Sequence, residues 1–279
     1  MGQPLTGLST VCAEANCPNI GECWARGTAT FMVMGDKCTR SCRFCNVDFG
    51  KPDPLNAHEP ALLAASISEL GLEYSVVTCV DRDDLPDSGA GHWIACIEAV
   101  RERCPDVKLE ILTGDFKGQV EQIQAVAAAR PNVFAHNVET VPRLQNKIRN
   151  KGRWELSLRV LDEARRVASK NYFTMFTKSG LMLGLGETDA EVREAMQLLR
   201  EHKVDLLTLG QYLKPLDRPD KLEVQRFVSP EEFKELARYG HSIGFKGVAA
   251  SPLTRSSHLA ETLYAQALAF IPASPGVCK

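Results

Sequence analysis

Six short apolar runs, each followed by a longer segment with helical period, set the tightest limit on how this chain can fold. The runs span residues 31–34, 74–79, 107–112, 133–136, 181–185 and 206–209. Between them, Leu63, Ile67 and Leu70 share one helical face. Leu156, Val160, Ala164 and Val167 share another, and Val192, Met196 and Leu199 a third. Strands joined by long helical crossovers pair in parallel, which fits either a barrel or a doubly wound sheet. The residues that end each run favour the barrel. Cys38 follows the first run, and Thr78, Cys79 and Asp81 end the second. Thr113 and Asp115, then His136, Asn137 and Glu139, then Gly184, Gly186 and Glu187, then Gln211 and Tyr212 end the others. Chemistry in parallel α/β folds gathers at the carboxyl ends of the strands, and in a barrel those ends converge. The expected architecture is an α/β partial (β/α)6 TIM-like barrel over residues 31–225. Residues 1–30 and 226–279 are expected to be N-terminal and C-terminal extensions.

Composition narrows the function classes. The chain has 279 residues, with 33 Lys and Arg against 35 Asp and Glu, a formal net charge of −2. There is no basic excess of the kind that nucleic-acid binding calls for. No apolar stretch approaches the roughly 18 residues of a membrane span, and residues 1–6 lack the features of a secretory signal. A cytoplasmic monomer, bound to neither membrane nor nucleic acid, is expected. Cysteine is the outlier, at ten residues. Six fall between positions 12 and 45, while Cys79, Cys96, Cys104 and Cys278 are scattered. Without a secretory signal, such a cluster reads as metal binding before disulfides.

The second group, Cys38, Cys42 and Cys45, has the spacing C-x3-C-x2-C on the loop after the first strand, with Phe44 before the last cysteine. Zinc sites and iron–sulfur clusters both ordinarily take four protein ligands. Three thiolates on one loop leave a cluster with one open iron, and a zinc loop is the other reading. The stretch resembles the signature of the radical S-adenosylmethionine superfamily. That resemblance implies a 4Fe–4S cluster whose open iron holds S-adenosylmethionine and whose electron yields a 5′-deoxyadenosyl radical.

The first group, Cys12, Cys17 and Cys23, has the spacing C-x4-C-x5-C and also lacks a fourth ligand. Together the two triplets resemble the lipoyl synthase family, as do several further stretches. These are residues 15–24 (ANCPNIGECW), 80–87 (VDRDDLPD), 136–140 (HNVET), 178–187 (KSGLMLGLGE), 210–212 (GQY) and 255–258 (RSSH). The likeness runs from about residue 10 to residue 260. His258 stands where the family usually has tyrosine, and Cys79 where it more often has serine.

The resemblance implies insertion of two sulfur atoms at carbons 6 and 8 of an octanoyl group held on a carrier lysine. Those carbons have no neighbour to acidify their hydrogens, so radical chemistry supplied by a cofactor is the plausible route. It implies two 4Fe–4S clusters and S-adenosylmethionine. Cys38, Cys42 and Cys45 would hold the radical-forming cluster. Cys12, Cys17 and Cys23 would hold an auxiliary cluster that is consumed as the sulfur donor. Ser257 would complete that second cluster, with Ser256 as the alternative. A serine oxygen is a harder ligand than thiolate, which suits a cluster that must come apart. An N-cap for the helical run from His258 is the plain reading of the same serine.

By family position, Thr78, Asn137, Glu139 and Arg159 are candidate contacts to S-adenosylmethionine. At the strand ends, Gly184 and Gly186 let a backbone approach it or make a plain turn. Gln211 and Tyr212 close the same ring, with core packing the other reading of Tyr212. The implied partners are an octanoylated carrier, such as the glycine cleavage H protein or a 2-oxoacid dehydrogenase E2 domain. A ferredoxin- or flavodoxin-type reductant and an iron–sulfur carrier for cluster repair complete the set. Lys147, Arg149, Lys151 and Arg153 form a basic stretch that is either a carrier-docking surface or a solvated loop. Asp81, Arg82, Asp83 and Asp84 read equally as a solvated loop or as contacts near the cluster. Biotin synthases lack the first triplet. Methylthiotransferases need an N-terminal domain for which 11 residues leave no room, and electron carriers fill every iron site.

Overall fold

The computed structural model describes Ser9, Thr10, Asn19, residues 30–215 and residues 218–271. Its strands are β1 (Ser9–Thr10), β2 (Thr30–Val33), β3 (Lys37–Cys38), β4 (Asp48–Phe49), β5 (Tyr74–Cys79) and β6 (Lys108–Leu112). They continue with β7 (Val133–Ala135), β8 (Phe176–Leu183), β9 (Leu206–Gln211) and β10 (Gly247–Ser251). The helices are α1 (Glu59–Glu69), α2 (Ala90–Arg103), α3 (Val120–Ala128), α4 (Gln145–Ile148) and α5 (Trp154–Lys170). α6 (Asp189–Glu201), α7 (Pro230–Ser242) and α8 (Ala260–Leu268) follow.

One sheet runs β1-β2-β5-β6-β7-β8-β9-β10, parallel throughout except for β1, which pairs antiparallel with β2. Among the described residues the sheet does not close on itself, which makes it a partial barrel. Each of the six expected runs overlaps one of its strands. Two features exceed the expectation. β8 begins at Phe176, five residues before the apolar run, and β10 adds a seventh parallel strand from within residues 226–279. Among the described residues, no helix is long and apolar enough to cross a membrane.

Helices cover the convex face with the expected stripes. Val160, Ala164 and Val167 of α5 and Val192, Met196 and Leu199 of α6 are buried, three or four residues apart. Leu70 is an exception: it caps the end of α1 and is exposed. α6 and α7 each begin with a capping box, Thr188 with Glu191 and Ser229 with Glu232, which satisfies two otherwise orphaned amides reciprocally.

The concave face is filled from the amino ends of the strands upward. Leu263, Tyr264 and Ala267 of α8 pack there with Tyr74, Val76, Val133, Phe176 and Leu206. The Tyr264 ring lies 5.8 Å from that of Tyr74 and 5.7 Å from that of Phe176. Above this layer sits a buried ion pair, Lys178 Nζ to Glu110 Oε1 at 2.7 Å, both side chains 1% exposed. Tyr74 donates its hydroxyl to the other Glu110 oxygen at 2.7 Å. Each charge here depends on the other, because a lone buried charge is far costlier than a pair. Lys178→Met is therefore expected to destabilise the protein by about 3 kcal/mol, and Lys178→Met with Glu110→Leu to recover most of the loss. Urea denaturation of the two variants checks this.

Candidate functional site

The loop from Cys38 to Cys45 leaves the carboxyl end of β2 through a turn with Met34 and Gly35 at φ 71° and 95°. Glu59, at the start of α1, accepts from Met34 N at 2.8 Å and pairs with His92 Nε2 at 2.5 Å, fixing where the loop departs. The parallel pair β3–β4 brackets the loop.

Inside the loop, Arg40 turns into the protein. Its guanidinium is 4% exposed and grips two carboxylates in bidentate fashion. Nε and Nη2 donate to Asp83 at 2.9 and 2.8 Å; Nη1 and Nη2 donate to Asp115 at 2.7 and 2.6 Å. Asp81 stands 3.8 Å away. Burial raises the Asp115 carboxyl, but the Arg40 hydrogen bonds outweigh it and hold the group at about 2. Thr39 adds a second tie: its hydroxyl donates to Asp81 O at 2.8 Å and accepts from Asp83 N at 2.9 Å. Asp81 N and Arg40 N both point at Cys38 Sγ, at 3.3 and 3.4 Å. The run from Asp81 to Asp84 is thus a clamp. Arg82 belongs to it as well, buried between Asp84 and Met34 O.

The far side of the loop is held by later segments. Arg43 N donates to Ile148 O at 3.0 Å, and Leu222 N to Arg43 O at 3.1 Å. Lys221, itself buried, donates to Cys42 O at 3.3 Å. With both sides fixed, Cys38, Cys42 and Cys45 face one cavity of about 820 Å³ at the carboxyl ends of the strands. Burial raises all three thiols, Cys38 to about 11 and Cys42 to about 12. Arg149 opposes that rise at Cys42, and Lys221 opposes it at Cys45. Among the described residues, no three His, Cys, Asp or Glu side chains are set to hold a single metal ion.

The opposite wall of the cavity comes from near the C-terminus, where Arg255, Ser256 and Ser257 line it. Gly210 makes this possible. A Cβ there would stand 2.1 Å from Thr254 O, so only glycine lets this segment cross the end of β9. Asn19 Nδ2 donates to Leu253 O at 2.7 Å, which ties residue 19 to the same segment across 234 positions.

Residues 32–199 match the model of the radical S-adenosylmethionine superfamily. The chain is 49% identical to the lipoyl synthase of Methanocella arvoryzae over 94% of this chain and 87% of that one. It is 50% identical to the lipoyl synthase of Thermus thermophilus over 93% of this chain and 79% of that one. The chain belongs to the lipoyl synthase family. Its fold is similar to the crystal structure of methylornithine synthase, with a TM-score of 0.63 at 15% identity over 86% of this chain and 68% of that one.

Of the residues singled out by the lipoyl synthase likeness, Cys38, Cys42, Cys45, Thr78, Asn137, Glu139, Gln211, Tyr212, Ser256 and Ser257 line this cavity. Their side chains are not equally free. The Thr78 hydroxyl donates to Leu112 O, and the Tyr212 hydroxyl to Leu222 O. The Gln211 amide is spent on Tyr212 O, Arg226 O and Val228 N. Asn137 Oδ1 is buried with no hydrogen-bond partner among the described residues. Glu139 sits at φ 69°. Burial raises its carboxyl, while Arg149 and Asn137 oppose the rise.

Three of the marked residues lie elsewhere. Gly184 and Gly186 are absent from the cavity wall, and a Cβ on Gly184 would meet Gln211 Nε2 at 2.3 Å and Arg226 O at 2.4 Å. What Gly184 admits is the protein's own chain. Arg159 is exposed and lines a neighbouring cleft. Arg149 does line the cavity; it is 6% exposed and donates to Asn137 O at 3.0 Å and Ser157 Oγ at 3.4 Å. No described carboxylate lies within ion-pair distance of it. Gly152 makes room, since a Cβ there would stand 2.6 Å from Arg149 Nε. Gly180 likewise opens the floor, where a Cβ would meet Thr208 Oγ1 at 2.5 Å. Cys79 is a packed thiol, raised to about 12 by burial. Cys12, Cys17, Cys23 and Cys278 lie outside the described residues.

Two outcomes are expected. Arg40→Met strands Asp83 and Asp115 without their cation and should cost about 3–5 kcal/mol in denaturant unfolding, well beyond an ordinary surface arginine. The second concerns His136, buried between Thr113 O at 2.9 Å and Ser157 Oγ at 3.0 Å. Burial first, then Arg149, lowers it from 6.5 to about 4. The unfolded chain therefore binds the proton first. Stability contributed by the neutral ring is complete above 6.5 and falls as pH drops towards about 4. The loss is about 3 kcal/mol, and His136→Gln should remove that slope from a pH series of unfolding free energies.

Proposed function

We propose that this protein inserts sulfur at carbons 6 and 8 of an octanoyl group amide-linked to a lysine of a carrier protein. Two 4Fe–4S clusters and S-adenosylmethionine are its cofactors. The observation that carries the reading is the convergence of two distant segments on one cavity: the three-cysteine loop from one side, Arg255–Ser257 from the other.

The residues present fit these groups. Cys38, Cys42 and Cys45 offer three thiols and no fourth protein ligand on their loop, which leaves a coordination position for a small molecule. The cavity also carries a buried guanidinium without a carboxylate and an asparagine oxygen without a donor among the described residues, both at its wall. An amino acid joined to a nucleoside supplies both missing partners. Arg149, in preference to Arg159, is assigned to the carboxylate. Asn137 and Glu139 are assigned to amino or ribose hydroxyl groups. Thr78, Gln211 and Tyr212 shape the wall, and Gly184 and Gly186 fix the turn behind Gln211. When bound, the clusters and S-adenosylmethionine supply hydrogen-atom abstraction from an unactivated carbon and the sulfur that replaces the hydrogen.

The chain's own part is to hold these groups and exclude water. The Arg40 clamp keeps the three thiols on one side of the cavity. Met32, Val76 and Leu112 give it an apolar depth suited to an alkyl chain. Cys12, Cys17 and Cys23 are assigned to the auxiliary cluster, with Ser257 as its fourth ligand and Ser256 the alternative. The bond from Asn19 to Leu253 supports this, because it joins the segment of the first triplet to the one bearing both serines. Residues 1–30 and 226–279 then act as extensions that complete the site of the 31–225 core.

The carrier is a lipoyl-bearing protein such as the glycine cleavage H protein or a 2-oxoacid dehydrogenase E2 domain. A ferredoxin or flavodoxin supplies electrons, an iron–sulfur carrier rebuilds the auxiliary cluster, and the enzyme works as a cytoplasmic monomer. Anaerobic reconstitution with iron, sulfide, reductant, S-adenosylmethionine and an octanoyl-lysine peptide tests the assignment. The expected products are 5′-deoxyadenosine and thiolated octanoyl peptide. Cys42→Ala should abolish both, while Cys17→Ala should spare 5′-deoxyadenosine and stop sulfur insertion. Deoxyadenosine without sulfur transfer in the unaltered enzyme would refute the reading.

A further inference from the structure

A second cleft, of about 520 Å³, opens beside the cavity, and Arg40 is a wall of both. Its lining divides into two sets. Arg40, Asp83 and Asp115 are buried or half-buried and already paired with one another. Lys117, Lys151, Arg153 and Arg159 are exposed, and Glu155 is the one exposed carboxylate among them. Arg153 and Arg159 make no ion pair with a described residue. Lys151 donates to Thr39 O at 3.4 Å and reaches the already engaged Asp83, also at 3.4 Å. Half-buried Leu156 supplies an apolar spot between the cations.

This distribution selects a kind of ligand. A site for a small anion needs a cation free within the cleft, and the buried one, Arg40, has both faces of its fork taken. The uncommitted charge stands on exposed side chains from three separate segments. Such charges act over about 8–10 Å in physiological salt and suit an extended acidic surface.

One of the four is presented at a cost. Phe116, Lys117 and Gly118 are consecutive left-handed residues at φ 49°, 51° and 77°, and each non-glycine one disfavours the fold by about 1–2 kcal/mol. Burial of Phe116 and the Asp115 carboxylate, which accepts from Lys117 N at 3.0 Å, offset this and hold Lys117 at the cleft.

We infer that this cleft docks the carrier protein through an acidic face of the carrier, seating its acylated lysine at the adjoining cavity. The inference rests on the activity proposed above and deepens it. Of the basic stretch from Lys147 to Arg153, only Lys151 and Arg153 take part. Arg149 belongs to the cavity, and Lys117 and Arg159 complete the ring from other segments.

The test uses reconstituted enzyme and two substrates, an intact octanoylated carrier and a short octanoyl-lysine peptide that lacks the carrier's surface. Lys117→Glu with Arg153→Glu should weaken binding of the intact carrier about tenfold at low ionic strength. The difference should shrink in about 0.5 M salt, where exposed charges are screened. Turnover of the peptide and the midpoint of thermal unfolding should stay as in the unaltered enzyme. Equal carrier binding by variant and parent at low salt would overturn the docking site, and so would parallel losses on carrier and peptide. Failure of the activity itself is distinct, because the unaltered enzyme would then thiolate neither substrate.

Discussion

The site depends on a single guanidinium. Arg40 lies within an eight-residue loop whose thiols are half-buried but whose backbone has little regular structure of its own. Such a loop has many conformations to lose and few ladder hydrogen bonds to stabilise the one it keeps. Two bidentate carboxylates, from the ends of β5 and β6, supply what the backbone lacks. They define direction as well as distance, because a planar fork met by two planar carboxylates tolerates little rotation. A lysine at position 40 would offer a point charge and leave the loop free to turn. The ends of neighbouring strands thereby dictate where three sulfur atoms stand, and the rigidity of the parallel sheet passes into a segment that is not sheet.

The clamp and the cavity make opposite uses of buried charge. In the clamp every charge is met, and the network closes on itself. In the cavity, among the described residues, Arg149 has only a carbonyl and a hydroxyl as hydrogen-bond partners, Asn137 Oδ1 has no donor, and Glu139 is held in a left-handed backbone conformation. Each of these disfavours the empty fold, by the desolvation of a charge, an orphaned acceptor or backbone strain. All three line the same cavity. The fully satisfied clamp beside them gives that strain a fixed frame.

Much of this was legible in the chain because the relevant signals are local. Short apolar runs marked the strands, and the residues after them marked the mouth. The C-x3-C-x2-C spacing marked the loop. The failures have physical causes. β8 starts early because Thr177, Lys178 and Ser179 are buried polar residues whose partners, Glu110 among them, come from other strands. β10 hides because Gly247, Ala249, Ala250 and Ser251 are too small to make an apolar run, and Gly247 leaves room for Leu263 and Gln266 of α8. The sequence puts Arg159 among the candidate cofactor contacts and Arg149 in a basic stretch. Burial separates them, and burial here depends on Gly152, three positions from Arg149. Asp81, Arg82, Asp83 and Asp84 had the composition of a solvated loop and became an interior network because Arg40 lies opposite. Pairing of this kind is a property of two distant segments, and neither records it alone.

The open sheet explains why the last described helix matters to the cavity at the other end of the barrel. A partial barrel leaves the apolar lower part of its concave face without a closing strand, and α8 fills it with Leu263, Tyr264 and Ala267. The residues that lead into α8 are those that cross Gly210 and bear Ser256 and Ser257. Leu259, left-handed at φ 54°, makes the sharp reversal between them. Burial of α8 thus anchors one end of the serine segment, and pairing of β10 with β9 anchors the other. The segment between has little freedom left to lose, so placing a hydroxyl at the cavity wall adds little entropic cost beyond that of the fold itself. The same packing that completes the hydrophobic interior thus brings Ser256 and Ser257 to the wall of the cavity that the three-cysteine loop faces.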